Sequence, residues 1–204
     1  VPAGAFTNII GNPNDEPTTF NWTVDRSHPI MTITATKPNG TPVSYGSTTN
    51  DPNLLLTFSC SETPIDFIKD DLYTQNCSIS NFQPTTDPKV YTATLTPLGN
   101  GFVQCILILY ANRYTDAAGN INSTNTDFYW SFNNTVPTMS VQIQKPDLTV
   151  VGDGEYTNAS NLSLTFTSSQ TTTDFIATDI NVSNGSISNF SGSGTTYTAT
   201  LNPS

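Results

Sequence analysis

Charge is what this sequence has least of: Asp, Glu, Lys and Arg make up 11% of its 204 residues, only six are basic, and there is one histidine. The formal net charge is −10 and no basic patch offsets it, so nucleic acid and anionic membrane surfaces are excluded as partners by repulsion. Long apolar runs are missing too. The longest, Cys105 to Tyr110, is far too short to span a bilayer, which excludes membrane insertion through a helix. Residue 1 is a valine with no signal-type segment after it, which reads as a mature segment or a window of a longer chain. Catalytic signatures are also absent: there is no phosphate loop, no zinc-ligand spacing and no nucleophile elbow. His28 precedes Pro29 in a linker, where it reads as a solvated residue. The adjacent pairs Asp15-Glu16 and Asp70-Asp71 would point to opposite faces of a strand, so neither makes an acid/base couple. The reading is non-enzymatic, with no cofactor.

What the sequence does have is β-forming material. Hydrophobic residues make up 35%, Ser, Thr and Asn fill most of the polar share, and Gly and Pro punctuate the chain evenly. That pattern predicts an all-β protein with no helix longer than a turn or two.

The chain also repeats itself. NLLLTF at 53–58 returns as NLSLTF at 161–166, an offset of 108 (166 minus 58). The same offset relates Asp66-Phe67-Ile68 to Asp174-Phe175-Ile176, SISNF at 78–82 to SISNF at 186–190, and FNW at 20–22 to FYW at 128–130. YTATLTP at 91–97 returns as YTATLNP at 197–203 with the register slipped by two, which places a small deletion in the preceding loop. A repeat near 108 residues is the size of one immunoglobulin-like sandwich. The predicted organisation is therefore tandem immunoglobulin-like β-sandwiches: 1–28 the last strands of a preceding repeat, 29–136 a complete domain, and 137–204 the first two-thirds of a following one. By this alignment the last copy has no counterpart of Gly99 through Ile108 or of any later strand of the repeat. An open sandwich of that kind exposes an apolar face and unpaired edges, so completion by the next subunit or by downstream sequence is expected.

In the complete copy, strands are expected near 30–36, 53–59, 65–75, 78–82, 90–95, 102–110 and 126–132. Alternation puts Phe128, Trp130 and Phe132 on the core face, and Phe20, Trp22 and Val24 are their counterparts in the preceding repeat. Asn184-Gly185 signals a two-residue hairpin. Cys60, Cys77 and Cys105 allow three single pairings. In an immunoglobulin-like order the third strand runs antiparallel to the sixth, which brings Cys77 to Cys105 and leaves Cys60 at the opposite end. A Cys77–Cys105 disulfide is expected; the alternative is three unpaired thiols packed as small hydrophobes.

LTFSCSE at 56–62, DFI at 66–68 and 174–176, DINVSNGSISNFSGSGTTYTATLNP at 179–203, YTDAAGNIN at 114–122 and DFYWSF at 127–132 together resemble the bacterial-type Ig-like tandem repeats of large surface adhesins and extracellular fibre proteins. The resemblance covers nearly the whole chain. It implies a β-sandwich repeated in tandem with a stalk, adhesive or structural role at the cell surface, and no catalysis. In some members of that family acidic residues at domain junctions bind calcium, and Asp25 stands at the matching place with Asp116 as a second candidate; the second junction carries Asn133 instead. A lone carboxylate is a poor ligand set for an ion that takes six to eight oxygens, and Asp116 also reads as the cap of its own turn.

Glycosylation sequons are frequent. Asn21, Asn39, Asn122, Asn133, Asn158, Asn181, Asn184 and Asn189 are expected to face solvent and to carry N-linked glycans; Asn161, next to Leu162, and Asn76, beside Cys77, are weaker candidates. Self-association into a head-to-tail homopolymer or a tandem array is the partner these features imply. The competing functional readings are an adhesive module that binds glycans or proteins through aromatics such as Tyr110, Tyr114 and Tyr129, and an accessory domain of a secreted enzyme.

Overall fold

A computed structural model describes residues 1–204. The chain divides into two compact units, Val1–Asn134 and Thr135–Ser204.

The first unit is a sandwich of two sheets. Its strands are β1 (Met31–Thr36), β2 (Pro42–Val43), β3 (Thr48–Thr49), β4 (Leu54–Cys60), β5 (Leu72–Gln75), β6 (Cys77–Pro84), β7 (Val90–Pro97), β8 (Phe102–Leu109) and β9 (Thr126–Asn133). One sheet has the order β2-β1-β4-β7-β6, the other β3-β9-β8-β5. Every pairing is antiparallel except β3 with β9. The period-two pattern places the core: Leu54, Leu56, Phe58 and Cys60 of β4 point inward while Leu55 and Ser59 are exposed. Ala93 and Leu95, Cys105, Leu107 and Leu109, and Phe128, Trp130 and Phe132 meet them from the neighbouring strands. Where the chain leaves β5 for β6 it crosses from one sheet to the other, and Asn76 takes φ 58° at that corner. Asn is one of the few side chains that tolerate the left-handed region.

The second unit has one sheet, β10 (Met139–Gln144), β11 (Leu162–Thr172) and β12 (Gly185–Pro203), in that order. Leu164, Phe166, Tyr197 and Ala199 form a small core with Ile143, Phe175, Ile187 and Phe190 packed beside it. Two turn contacts of the repeat recur at the same distances. Ile30 N–H donates to Ser61 Oγ at 2.9 Å and Thr138 N–H to Ser169 Oγ at 2.9 Å; Ile68 N–H donates to Asp71 Oδ2 and Ile176 N–H to Asp179 Oδ2, both at 2.9 Å.

Three expectations need correction. The strand expected over 65–75 is extended and hydrogen-bonded only at Leu72–Gln75; before it, Phe67 anchors in the core and Lys69–Asp71 make a single 3-10 turn whose entry Asp71 caps. Asn184 does adopt a positive φ of 58°, but it is the counterpart of the Asn76 corner and not a hairpin turn. The reversal in that strand comes later, around Gly192 and Gly194, both with positive φ. The third correction concerns the cysteines. Cys77 and Cys105 do come together, yet all three cysteines are free thiols. Cys77 Sγ–H faces the carbonyls of Gln75 at 3.3 Å and Ile106 at 3.4 Å, and Cys105 Sγ lies 3.7 Å from the carbonyl of Asn76, so both sulfurs are engaged with backbone oxygens. Cys60 sits at the other end of the core, 3.5 Å from the Tyr114 hydroxyl.

Candidate functional site

The loop that joins β8 to β9 is organised by one side chain. Asn122 is buried; its Oδ1 accepts from the N–H groups of Arg113 at 2.7 Å and Tyr114 at 3.2 Å, and its Nδ2 donates to the carbonyls of Tyr110 at 2.8 Å and Thr124 at 3.3 Å. Satisfied on both sides, the amide fixes the loop so that Tyr114 drops into the core. Residues 1–16 repeat this arrangement: Asn14 Oδ1 accepts from Phe6 N–H at 3.1 Å, and its Nδ2 donates to the carbonyls of Pro2 at 2.8 Å and Glu16 at 3.2 Å. The bridge Thr7–Pro13 matches the bridge Thr115–Ile121. Here the loop stands in the open, with Phe6, Phe20, Trp22 and Val24 exposed.

Next to the Asn122 loop lies an acidic cluster. Carboxylate oxygens of Asp25, Glu62 and Asp116 lie within 4.8 Å of one another. They line a cavity of about 280 Å³ with Lys89, whose Nζ donates to Ser61 O at 2.9 Å. Asp116 is fixed by its own turn: Oδ1 accepts from the N–H groups of Ala118 at 2.8 Å and Asn120 at 2.9 Å, and Oδ2 accepts from Asn120 Nδ2 at 2.9 Å. Those donors hold its carboxyl below the ordinary carboxylate range. Asp25 Oδ1 accepts from Ser27 N–H at 2.9 Å. Desolvation, then the charges of Asp25 and Asp116, push Glu62 up. Three facing carboxylates are the hard-oxygen donor set of a divalent cation such as calcium, and Asp25, Glu62 and Asp116 are the residues that would hold one.

The sequence pointed to Asp25 and Asp116 but missed Glu62. A signal was present in the repeat: Asp25 becomes Asn133 and Glu62 becomes Gln170, so both carboxylates turn into amides together. In the second unit Gln170 Nε2 donates to Thr135 O at 2.9 Å.

The other singled-out residues scatter. His28 is exposed with Nδ1 2.8 Å from Ile121 O, and Asp71 is a turn cap. Asn21, Asn39, Asn158, Asn181, Asn184 and Asn189 are exposed, and Asn133 is half-buried. Asn122 is not a solvent-facing acceptor: the Nδ2 that would carry a glycan is buried and donates twice within the loop. Tyr114 is core, whereas Tyr129 packs under Tyr45 at 4.3 Å between ring centroids and Tyr110 pairs with Tyr73 at 6.0 Å.

No curated protein matches the chain. The profile of the bacterial Ig-like domain family matches residues 25–131 and again 133–204. Domains of this family are structural or adhesive modules of extracellular and surface proteins and are typically non-enzymatic. With two consecutive matches that take in most of its residues, and with the sandwich strand order described above, the chain belongs to the bacterial Ig-like domain family.

Proposed function

We propose that this chain is part of a non-enzymatic extracellular filament, fibre or stalk, built from serial Ig-like sandwiches and decorated with N-linked glycans, in which an open sandwich is completed by neighbouring repeat sequence, in a tandem array or a head-to-tail homopolymer. The observation that carries the reading is the recurrence of one loop: residues 1–16 hold the same hydrogen-bonded conformation as 109–124. A module that recurs with its joining loops suits a load-bearing array, because strand pairing supplies a ladder of backbone bonds that resists pulling. Exposed sequons at Asn21, Asn39, Asn158, Asn181, Asn184 and Asn189 leave room for glycans outside the cores. Electron microscopy of native material with intact mass tests this. Filaments or beaded chains carrying mass beyond the 22.0 kDa of this segment's polypeptide are expected; dispersed particles at the unmodified mass would contradict it.

An adhesive role is the second reading, favoured by a contrast between the two outer faces of the first unit. The five-stranded sheet presents Thr32, Thr34, Thr57, Thr92 and Thr94, whereas the four-stranded sheet presents Tyr73, Ile106, Ile108 and Tyr110. Binding on a glycan array that is lost in Y73A and Y110A variants would support it; binding unchanged in both would refute it.

A further inference from the structure

The sandwich of the first unit is open along one flank. Between β1 and β2 of one sheet and β9 of the other lies a cavity of about 370 Å³. Its walls are the core-facing side chains of Ile33, Ala35, Val43 and Phe128, and its mouth carries Tyr45 and Asp127. Ile33 shows the effect of the opening: Met31 and Ala35, its neighbours in the same alternation, are each 4% exposed, while Ile33 is only half-buried. An apolar cleft of this size with a few convergent polar groups is the usual form of a ligand site.

The mouth is held from three sides. The Tyr45 hydroxyl donates to Asp127 Oδ2 at 2.7 Å, and the Tyr45 ring packs edge-on against Tyr129 at 4.3 Å and Phe128 at 6.5 Å between centroids. The turn that carries Tyr45 is tied to β9, since Gly46 N–H donates to Tyr129 O at 2.9 Å and Ser131 N–H to Ser47 O at 3.0 Å. Ring and carboxylate therefore need no rearrangement to meet a ligand, which keeps the ordering cost of binding low. The bond to Asp127 also raises the Tyr45 phenol above its ordinary value, so the hydroxyl stays a donor. Tyr45 is nonetheless 57% exposed, and its ring is within reach of an incoming group.

Charge decides the occupant. Asp127 is exposed and takes part in no ion pair, unlike Asp51, which is paired with Lys37. Tyr45 engages Oδ2, which leaves Oδ1 to a ligand. The net charge of −10 adds a field that draws cations in and repels anions. The walls ask in addition for an apolar stem ahead of the charge. Arginine supplies both, because its aliphatic stem packs on apolar surface while the planar guanidinium pairs with a carboxylate and stacks on an aromatic ring.

The repeat supports a dedicated role. At the offset of 108, Tyr45 is matched by Asp153, Asp127 by Thr19 and Tyr129 by Asn21, whereas Gly46, Val43 and Phe128 return as Gly154, Val151 and Phe20. The mouth residues change together where the framework is kept. A mere pin for the turn would recur with the turn.

We propose that this cleft of the first unit binds an arginine side chain of a partner protein, with the guanidinium on Asp127 and Tyr45 and the aliphatic stem against Ile33, Val43 and Phe128. Neither the filament reading nor the Tyr73–Tyr110 face makes use of it.

The test is a nuclear magnetic resonance titration of the isotope-labelled full chain with N-acetyl-arginine amide. Saturable shifts are expected at residues 33–35, 42–46 and 127–129. N-acetyl-citrulline amide has the same shape without the charge and should bind about fivefold more weakly, the scale of an exposed charge pair. D127N keeps an acceptor for the Tyr45 hydroxyl and should bring the two ligands to equal affinity; Y45A should weaken both. Far-UV circular dichroism checks that each variant is folded, and D127N alone decides the matter if Y45A loosens the turn. The proposal is overturned by no saturable shifts, by equal affinity for arginine and citrulline in the unaltered chain, by a folded variant without effect, or by shifts centred on Asp25, Glu62 and Asp116.

Discussion

Trp130 and Trp22 occupy the same position of the repeat, yet the first is 0% exposed and the second 74%. Replacing Trp130 with alanine empties the centre of β9 and deprives Thr49 Oγ1 of the indole N–H that donates to it at 3.0 Å. A Trp-to-Ala change in a packed core costs about 3–5 kcal/mol. With a urea dependence of about 2 kcal/mol per molar, a loss of about 4 kcal/mol lowers the unfolding midpoint of the first unit by about 2 M. The same change at Trp22 removes a side chain already in water, so the midpoint should move by less than about 0.3 M, the scatter of a surface substitution. Far-UV circular dichroism should report both variants, because either substitution alters the fluorescence reporter. Equal shifts for W22A and W130A would refute the reasoning, since they would mean that Trp22 is packed against something in the isolated chain.

Other consequences are as direct. Because the fold raises the Glu62 pKa, it favours the protonated acid, so the stability linked to that group is present at low pH and lost as pH rises through the raised value. E62Q should therefore raise the melting temperature at neutral pH in chelator and give no gain near about pH 4, below the ordinary glutamate value; a gain that persists in acid would refute the account from desolvation and like charge. N122A removes four hydrogen bonds inside a buried loop and should destabilise the first unit by about 2–4 kcal/mol, whereas N14A, which removes three matching bonds in an exposed loop, should leave its denaturation midpoint nearly unchanged. Gly46 has φ 78°, and a Cβ there would stand 2.7 Å from the Tyr129 hydroxyl; G46A should cost about 1–3 kcal/mol in the same denaturation assay, combining backbone strain with a displaced ring. Glycopeptide mapping of secreted material should find Asn122 unmodified while exposed sequons such as Asn39 and Asn181 carry glycan.

Much of this was readable from residue order because the repeat is written in side chains that decide backbone geometry. The offset of 108 aligns Asn76 with Asn184, and both adopt φ 58°. It aligns the Phe-Trp-Phe face of β9 with Phe20-Trp22-Val24, and the burial of the former follows from alternation. Strand order carried the cysteine geometry as far as proximity, but not the bond state, since whether two adjacent thiols couple is set by oxidation, which residue order does not record. The short strands β2 and β3 were missed because two residues carry no periodicity; they exist through their partners, β3 through Ser131 and Phe132 of β9. Glu62 was missed for a related reason. It lies far along the chain from Asp25 and Asp116, and only folding brings the three together. Asn122 read as an exposed sequon because the local motif is the same whether its amide faces water or organises a loop.

The most direct test of the account is hydrogen–deuterium exchange on the intact chain, comparing β4 with β11. The two strands share the motif that reads NLLLTF in one and NLSLTF in the other, and each pairs on both sides. If the first unit is a closed sandwich and the second an open one, Leu56 and Phe58 amides should exchange only with unfolding of the whole first unit, while those of Leu164 and Phe166 exchange orders of magnitude faster. Equal protection in the two strands would contradict the central claim, because it would mean that a single three-stranded sheet protects its amides as well as the two-sheet sandwich does.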